Sequence, residues 1–189
     1  AKRKVLVHTP QPVDPVLFQS DMELVGYRAS RPIDVLLTGC VDGFEHDIAG
    51  SGADGASEGL GWLYPFRRRL LRLMRAGKMP GENNVVREHP GYDDSSSKIE
   101  RTVALEGIAA LRIQQLTDYA RQLKQSKIVL VTKSARDYTL RKYTEAAAAG
   151  ALLVGDVPSE QSQMWRKVVV EINLDDADEK IFERVAWWL

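Results

Sequence analysis

The chain has little of what usually announces a function. Its 189 residues include one cysteine, Cys40, so no internal disulfide can form. Twenty-six basic residues are balanced by 26 acidic ones, which removes the net positive charge that draws proteins to nucleic acid. No apolar run approaches the roughly 20 residues of a membrane span. The opening "AKRKVLVHTP" lacks the long apolar stretch of a secretory signal. The three histidines, His8, His46 and His89, are scattered, and no Cys or His spacing resembles a zinc site, so no structural metal is expected. There is no Walker sequence and no GxGxxG after the first domain strand. These absences set aside disulfide scaffolds, membrane spans, zinc modules and polyanion binders, and they suit a reducing, cytoplasmic setting. Starting at Ala1 rather than Met, the chain reads as a piece trimmed from something longer.

What is present is a rhythm. Short Val- and Leu-rich runs bounded by turn residues recur at 4–10, 33–39, 84–91, 127–132, 150–156 and 167–172. They are mostly non-alternating, as strands buried on both faces of a parallel sheet are. Helical segments lie between them at 64–76, about 99–125, 138–149 and 176–188. Strands alternating with helices predict an α/β fold, a Rossmann-like parallel sheet flanked by helices with right-handed crossovers. Two stretches interrupt the pattern. Residues 10–32, with Pro10, Pro12, Pro15 and Pro32, read as an extended connector, so 1–32 is expected to be an N-terminal strand and connector to a domain at 33–189. Residues 45–62, with five interleaved glycines, read as a flexible surface insertion. No internal repeat is found.

Ligands of open parallel sheets bind outside the carboxyl ends of the strands. That directs attention to 39–69, 89–94, 132–142 and 156–163. The helix opening "YPFRRRL" has Pro65 suited to its first turn and Leu70, Leu71, Leu73 and Met74 on its apolar side. Its arginines 67, 68, 69 and 72 suit a wet face, but an Arg in the first turn also stands where a phosphate would bind. His89, before a Pro90-Gly91 turn, is a possible acid, base or donor, although one His without a spaced partner is more often structural. In "DYTLRKYTEAAAAGALLVGDVP" (137–158), Asp137 occupies an expected N-cap, Gly150 stops the helix, and the alanines at 146–149 let it lie close to the sheet. Glu145 stands on the cleft side of that helix, where a carboxylate can accept two hydrogen bonds from a vicinal diol. Arg141 and Lys142 add charge suited to a diphosphate, or else make a solvated face. At the C-terminus, Ile181, Val185 and Trp188 recur at helical spacing and read as core or as a patch against a partner domain.

At these residues the sequence resembles the C-terminal, nucleotide-sugar-binding domain of GT-B glycosyltransferases, in the branch related to spore-coat and fungal proteins. The signature is two acids separated by seven residues, here Asp137 and Glu145, followed by a helix, a glycine and a strand. "HTPQPVDPVLF", "RPIDVLLTG", "YPFRRRL", "HPGY" and the C-terminal "VVVEINLDDADEKIFERVAWWL" extend the similarity over roughly residues 5–189. The resemblance implies that Glu145 binds the donor's ribose and that Asp137, in place of the usual Glu, approaches the transferred sugar as the catalytic residue. It further implies that Arg141, Lys142 and one of Arg67 to Arg69 cradle the diphosphate, that Gly39 allows close backbone approach, and that His89 lines the donor site. The substrate would be a nucleotide-diphosphate sugar, with no separate cofactor. Such enzymes have two similar-sized domains, so an N-terminal acceptor half or partner subunit is implied. A domain that has lost catalysis and serves as a binding or structural module is the alternative. A flavodoxin-like or receiver-like signalling domain is disfavoured because no clustered acids follow the first strand.

Overall fold

The computed structural model describes residues 14–18, 31–39, 64–88 and 103–189. The expected strand at 4–10, the insertion at 45–62, Cys40 and the segment from His89 to Tyr92 lie outside the described residues. Five strands form one sheet: β1 (Ile33–Gly39), β2 (Asn84–Glu88), β3 (Ser126–Val131), β4 (Leu152–Gly155) and β5 (Val169–Glu171). All neighbours are parallel and the order is β2-β1-β3-β4-β5. The helices are α1 (Pro15–Phe18), α2 (Pro65–Arg75), α3 (Val103–Lys124), α4 (Arg141–Ala148), α5 (Ser162–Trp165) and α6 (Asp178–Trp188). This is the α/β, Rossmann-like arrangement that the alternating runs predict.

The sheet is apolar on both faces because both are covered. Val35 and Leu37 of β1, Ile128 and Leu130 of β3 and Val154 of β4 pack with Phe66, Leu70 and Met74 of α2 and with Ile181 and Val185 of α6. Leu36, Val129, Val131 and Leu153 point the other way, against Phe18 of α1, Leu123 of α3, Tyr143 and Ala146 of α4 with its C-cap Ala149, and Trp165 of α5. Each Val, Leu, Ile, Phe or Met side chain among them, where fully buried, contributes about 1.5–3 kcal/mol. Arg31 fixes the tilt of α4: its guanidinium is buried and donates to the carbonyl oxygens of Ser126 (2.8 Å) and Ala149 (2.9 Å). The C-terminal end of α4 is thereby held at the amino edge of the sheet, and its N-terminus is directed to the carboxyl edge.

Local signals act as expected in places and are overridden in others. Pro65 opens α2, and α4 closes where Gly150 turns with φ +68°, its N–H donating to Ala147 O and the N–H of Ala151 to Ala146 O. Within the expected extended connector, however, 15–18 are a helical turn whose Phe18 joins the core. Asp14 caps it by accepting from the N–H of Val16 at 2.9 Å, and Pro15 follows the cap. The fourth helix starts at Arg141 rather than 138, with extended Leu140 at its cap, so Asp137 is not the N-cap. Tertiary ties cause the delay: the Thr139 N–H donates to Glu160 Oε2 (2.8 Å) and the Ser159 N–H to Asp137 Oδ1 (3.3 Å), fastening the loop before α4 to the loop after β4. On α6, Ile181 and Val185 are core, whereas Trp187 and Trp188 are exposed. Among the described residues no helix is long and apolar enough to cross a membrane.

Candidate functional site

β1 leads through α2 to β2 on one side and β3 leads through α4 to β4 on the other, so the topological switch point lies between β1 and β3. At its carboxyl edge β1 ends in Thr38 and Gly39, and Gly39 turns with φ +126°, a conformation that favours glycine. Two cations from separate helices meet there. A methyl placed on Gly39 would overlap Lys142 Nζ and lie 2.9 Å from Arg67 Nη1. Lys142, in the first turn of α4, donates to the Thr38 carbonyl oxygen. Arg67, in the first turn of α2, is only 2% exposed; its Nε donates to Thr132 Oγ1 at 3.1 Å and its guanidinium carbon stacks 3.9 Å from the centroid of the Tyr64 ring.

The wet-face readings therefore fail for these two residues. Arg67 and Lys142 are both buried, while Arg141 and Arg72 face solvent and Arg69 is spent on Asp178 and the Leu174 carbonyl. Helical phase decides this: Arg67 shares the inward side of α2 with Phe66, Leu70 and Leu71, and Lys142 shares that of α4 with Tyr143 and Ala146.

Beside the cations, the ends of β3 and β4 supply neutral and acidic groups. Thr132, Ser134 and Asp156 are all buried. Asp156 Oδ1 accepts from the Lys133 N–H (2.7 Å) and from the Tyr143 hydroxyl (3.1 Å). Burial nevertheless holds the Asp156 carboxyl above the usual Asp range, outweighing those hydrogen bonds and the Lys133 charge. The same environment, burial first and the Asp156 charge second, pushes the Tyr143 hydroxyl far up. Thr132 and Asp156 each follow directly on a strand, which is the only sequence signal that points to them.

The two acids of the spaced pair are engaged elsewhere. Asp137 adopts φ +58°, a left-handed conformation uncommon outside glycine, and is half-exposed. Its Oδ1 pairs with Lys133 Nζ at 2.8 Å, and that hydrogen bond, with those from Ser159, holds its pKa below the usual value against its partial burial. Glu145 is buried, with Oε1 on Arg141 Nε at 3.1 Å and Oε2 accepting from the Tyr119 hydroxyl of α3 at 2.8 Å. Tyr119 in turn is raised well above its ordinary value, by burial first and then by the Glu145 charge. No sequence pattern links Tyr119 to Glu145, since packing of α3 on α4 alone brings them together.

Of the expected donor residues, the structure thus unites Gly39, Arg67 and Lys142, keeps Arg141 and Glu145 as a pair along α4, and holds Asp137 in the loop before it. His89 lies outside the described residues. Among the described residues no three His, Cys, Asp or Glu side chains gather to hold a metal ion. A shallow hollow at the opposite, amino edge is lined by Asp34, Gly81, Glu82, Lys127, Ala186 and Leu189. Its charges are satisfied internally, with Lys127 Nζ 2.6 Å from Asp34 Oδ1 and the amides of Glu82 and Asn83 on Asp34 Oδ2. Comparison with protein-family models, with curated proteins and with solved structures gave no match for this chain.

Proposed function

We propose that this chain binds a nucleoside diphosphate, carried by a nucleotide sugar, at the carboxyl edge of its sheet, as the donor-binding half of a GT-B type glycosyltransferase. One observation carries the reading: buried Arg67 and Lys142, from two helices, converge on the side-chain-free turn at Gly39, at the switch point. A diphosphate is the ligand chemistry that two fixed cations, a close-approach glycine and a helix N-terminus suit together. In this reading Arg67 and Lys142 neutralise the departing diphosphate, Arg141 adds charge at the helix start, and Glu145 receives the ribose diol by exchanging Arg141 for it. Asp137 faces the sugar. Catalysis is leaving-group stabilisation, and the acceptor comes from another domain or subunit, for which exposed Trp187 and Trp188 offer an apolar contact. The setting is cytoplasmic, with no nucleic-acid partner.

A second reading, binding without transfer, draws on the engagement of both acids: Asp137 with Lys133 and Glu145 with Arg141 and Tyr119. Transfer or hydrolysis of a sugar nucleotide by the chain would rule it out.

Calorimetric titration with UDP, GDP and inorganic pyrophosphate tests the site. Arg67→Met and Lys142→Met should each weaken all binding by about tenfold or more, the scale of a lost hydrogen bond to a charged group. Glu145→Ala should weaken UDP but spare pyrophosphate. Undiminished binding in both cation variants would sink the diphosphate site, and an unchanged UDP affinity in Glu145→Ala would sink the ribose role.

A further inference from the structure

Thr132 stands where the anion of the preceding section would lie nearest the sheet. It is the first residue beyond β3, is 1% exposed, and by continuation of the register that sets Leu37 opposite Leu130 it faces Gly39 across the switch point. Its Oγ1 accepts the 3.1 Å hydrogen bond from Arg67 Nε. A threonine hydroxyl has two lone pairs and one proton, so this bond occupies one lone pair and leaves the proton uncommitted. Among the described residues, no side chain or carbonyl takes that proton. A buried donor without an acceptor is costly, and it is an arrangement that a ligand oxygen relieves.

Arg67 is also constrained by the Tyr64 ring, whose centroid is 3.9 Å from the guanidinium carbon. A guanidinium held by an aromatic face and a hydroxyl loses little freedom when an anion arrives. We infer that Thr132 has two roles at this site: it positions Arg67 by accepting its Nε–H, and it donates its own hydroxyl proton to a phosphoryl oxygen. This rests on the diphosphate reading and adds to it a neutral donor contributed by the sheet. The cation pair supplies charge, while Thr132 supplies a fixed direction.

The test separates hydroxyl from methyl. Thr132→Val keeps the branched shape and loses the hydroxyl, whereas Thr132→Ser keeps the hydroxyl and loses the methyl. Affinities for inorganic pyrophosphate and UDP are measured by calorimetry, with urea unfolding in parallel. Thr132→Val should bind both probes about tenfold more weakly, and Thr132→Ser should retain most of the wild-type affinity despite any loss of stability. If Thr132→Val does not fold, Thr132→Ala carries the same expectation. Wild-type affinity in the hydroxyl-free variant, or equal losses in Val and Ser, would overturn the assignment to Thr132 while leaving the diphosphate site standing. Arg67→Met distinguishes the deeper failure: if it binds pyrophosphate as well as wild type does, or if wild type binds none, the diphosphate reading and this inference fall together.

Discussion

Gly39→Ala probes whether the switch-point crevice is built around an absent side chain. Alanine at φ +126° occupies a sparsely populated backbone region, at a cost of about 1–3 kcal/mol. Its methyl would also overlap Lys142 Nζ and crowd Arg67 Nη1 at 2.9 Å. A lysine terminus moves more easily than backbone, so the ammonium should swing away and give up its hydrogen bond to the Thr38 carbonyl. That bond has a charged donor and contributes about 1.5–3 kcal/mol. Together the two effects come to about 2.5–6 kcal/mol, a large share of the roughly 5–15 kcal/mol that stabilises a domain. Gly77→Ala is the control: its φ is +64° and nothing lies within 4 Å of the added methyl, so only backbone strain of about 1–2 kcal/mol applies. Urea unfolding at unchanged slope measures both, and the Gly39 variant should lose at least about 1.5 kcal/mol more. Equal destabilisation would mean that the Lys142–Thr38 contact contributes nothing and that the cations are not held in place by the turn.

Two further outcomes follow from buried groups. Burial raises the Asp156 pKa, so the native state holds that proton more tightly than the unfolded chain does. Its contribution is then fully present below the ordinary Asp value and is lost as pH rises through the raised native value. Asp156→Asn, which keeps an oxygen for the Lys133 N–H, should therefore gain stability relative to wild type over the range in which pH rises above the ordinary Asp value of about 4. Parallel stability curves from denaturant titrations across that range would refute the assignment. Tyr119→Phe removes the hydroxyl that donates to Glu145, whose side chain is 7% exposed, and should destabilise by about 1–3 kcal/mol. A loss under about 0.5 kcal/mol in urea unfolding would show that Arg141 alone satisfies the carboxylate.

Much of the architecture was legible in the chain because its causes are local. Val- and Leu-rich runs between turn residues mark strands covered on both faces, Pro65 opens a helix, and Gly150 closes one, each through interactions spanning a few residues. The carboxyl edge as the place to look followed from alternation alone. Boundaries were less legible wherever distant segments intervene, as at Asp137, where ties from Ser159 and Glu160 to the loop postpone the helix. The short helix at 15–18 was hidden by its prolines, although Asp14 supplies a cap.

By itself, then, the sequence determined an α/β sheet with cations and a glycine near one edge, because hydrophobic periodicity and backbone chemistry are written residue by residue. Only the tertiary structure decided which cations turn inward. Arg67 and Lys142 lie far apart in the chain and look no different from Arg72 and Arg141. Their burial depends on the phase at which each helix docks on the sheet, and so on apolar neighbours such as Leu70 and Ala146. The same docking turned Glu145 toward Tyr119 and set Thr132 beside Gly39, contacts that no local pattern encodes because they exist only between packed elements.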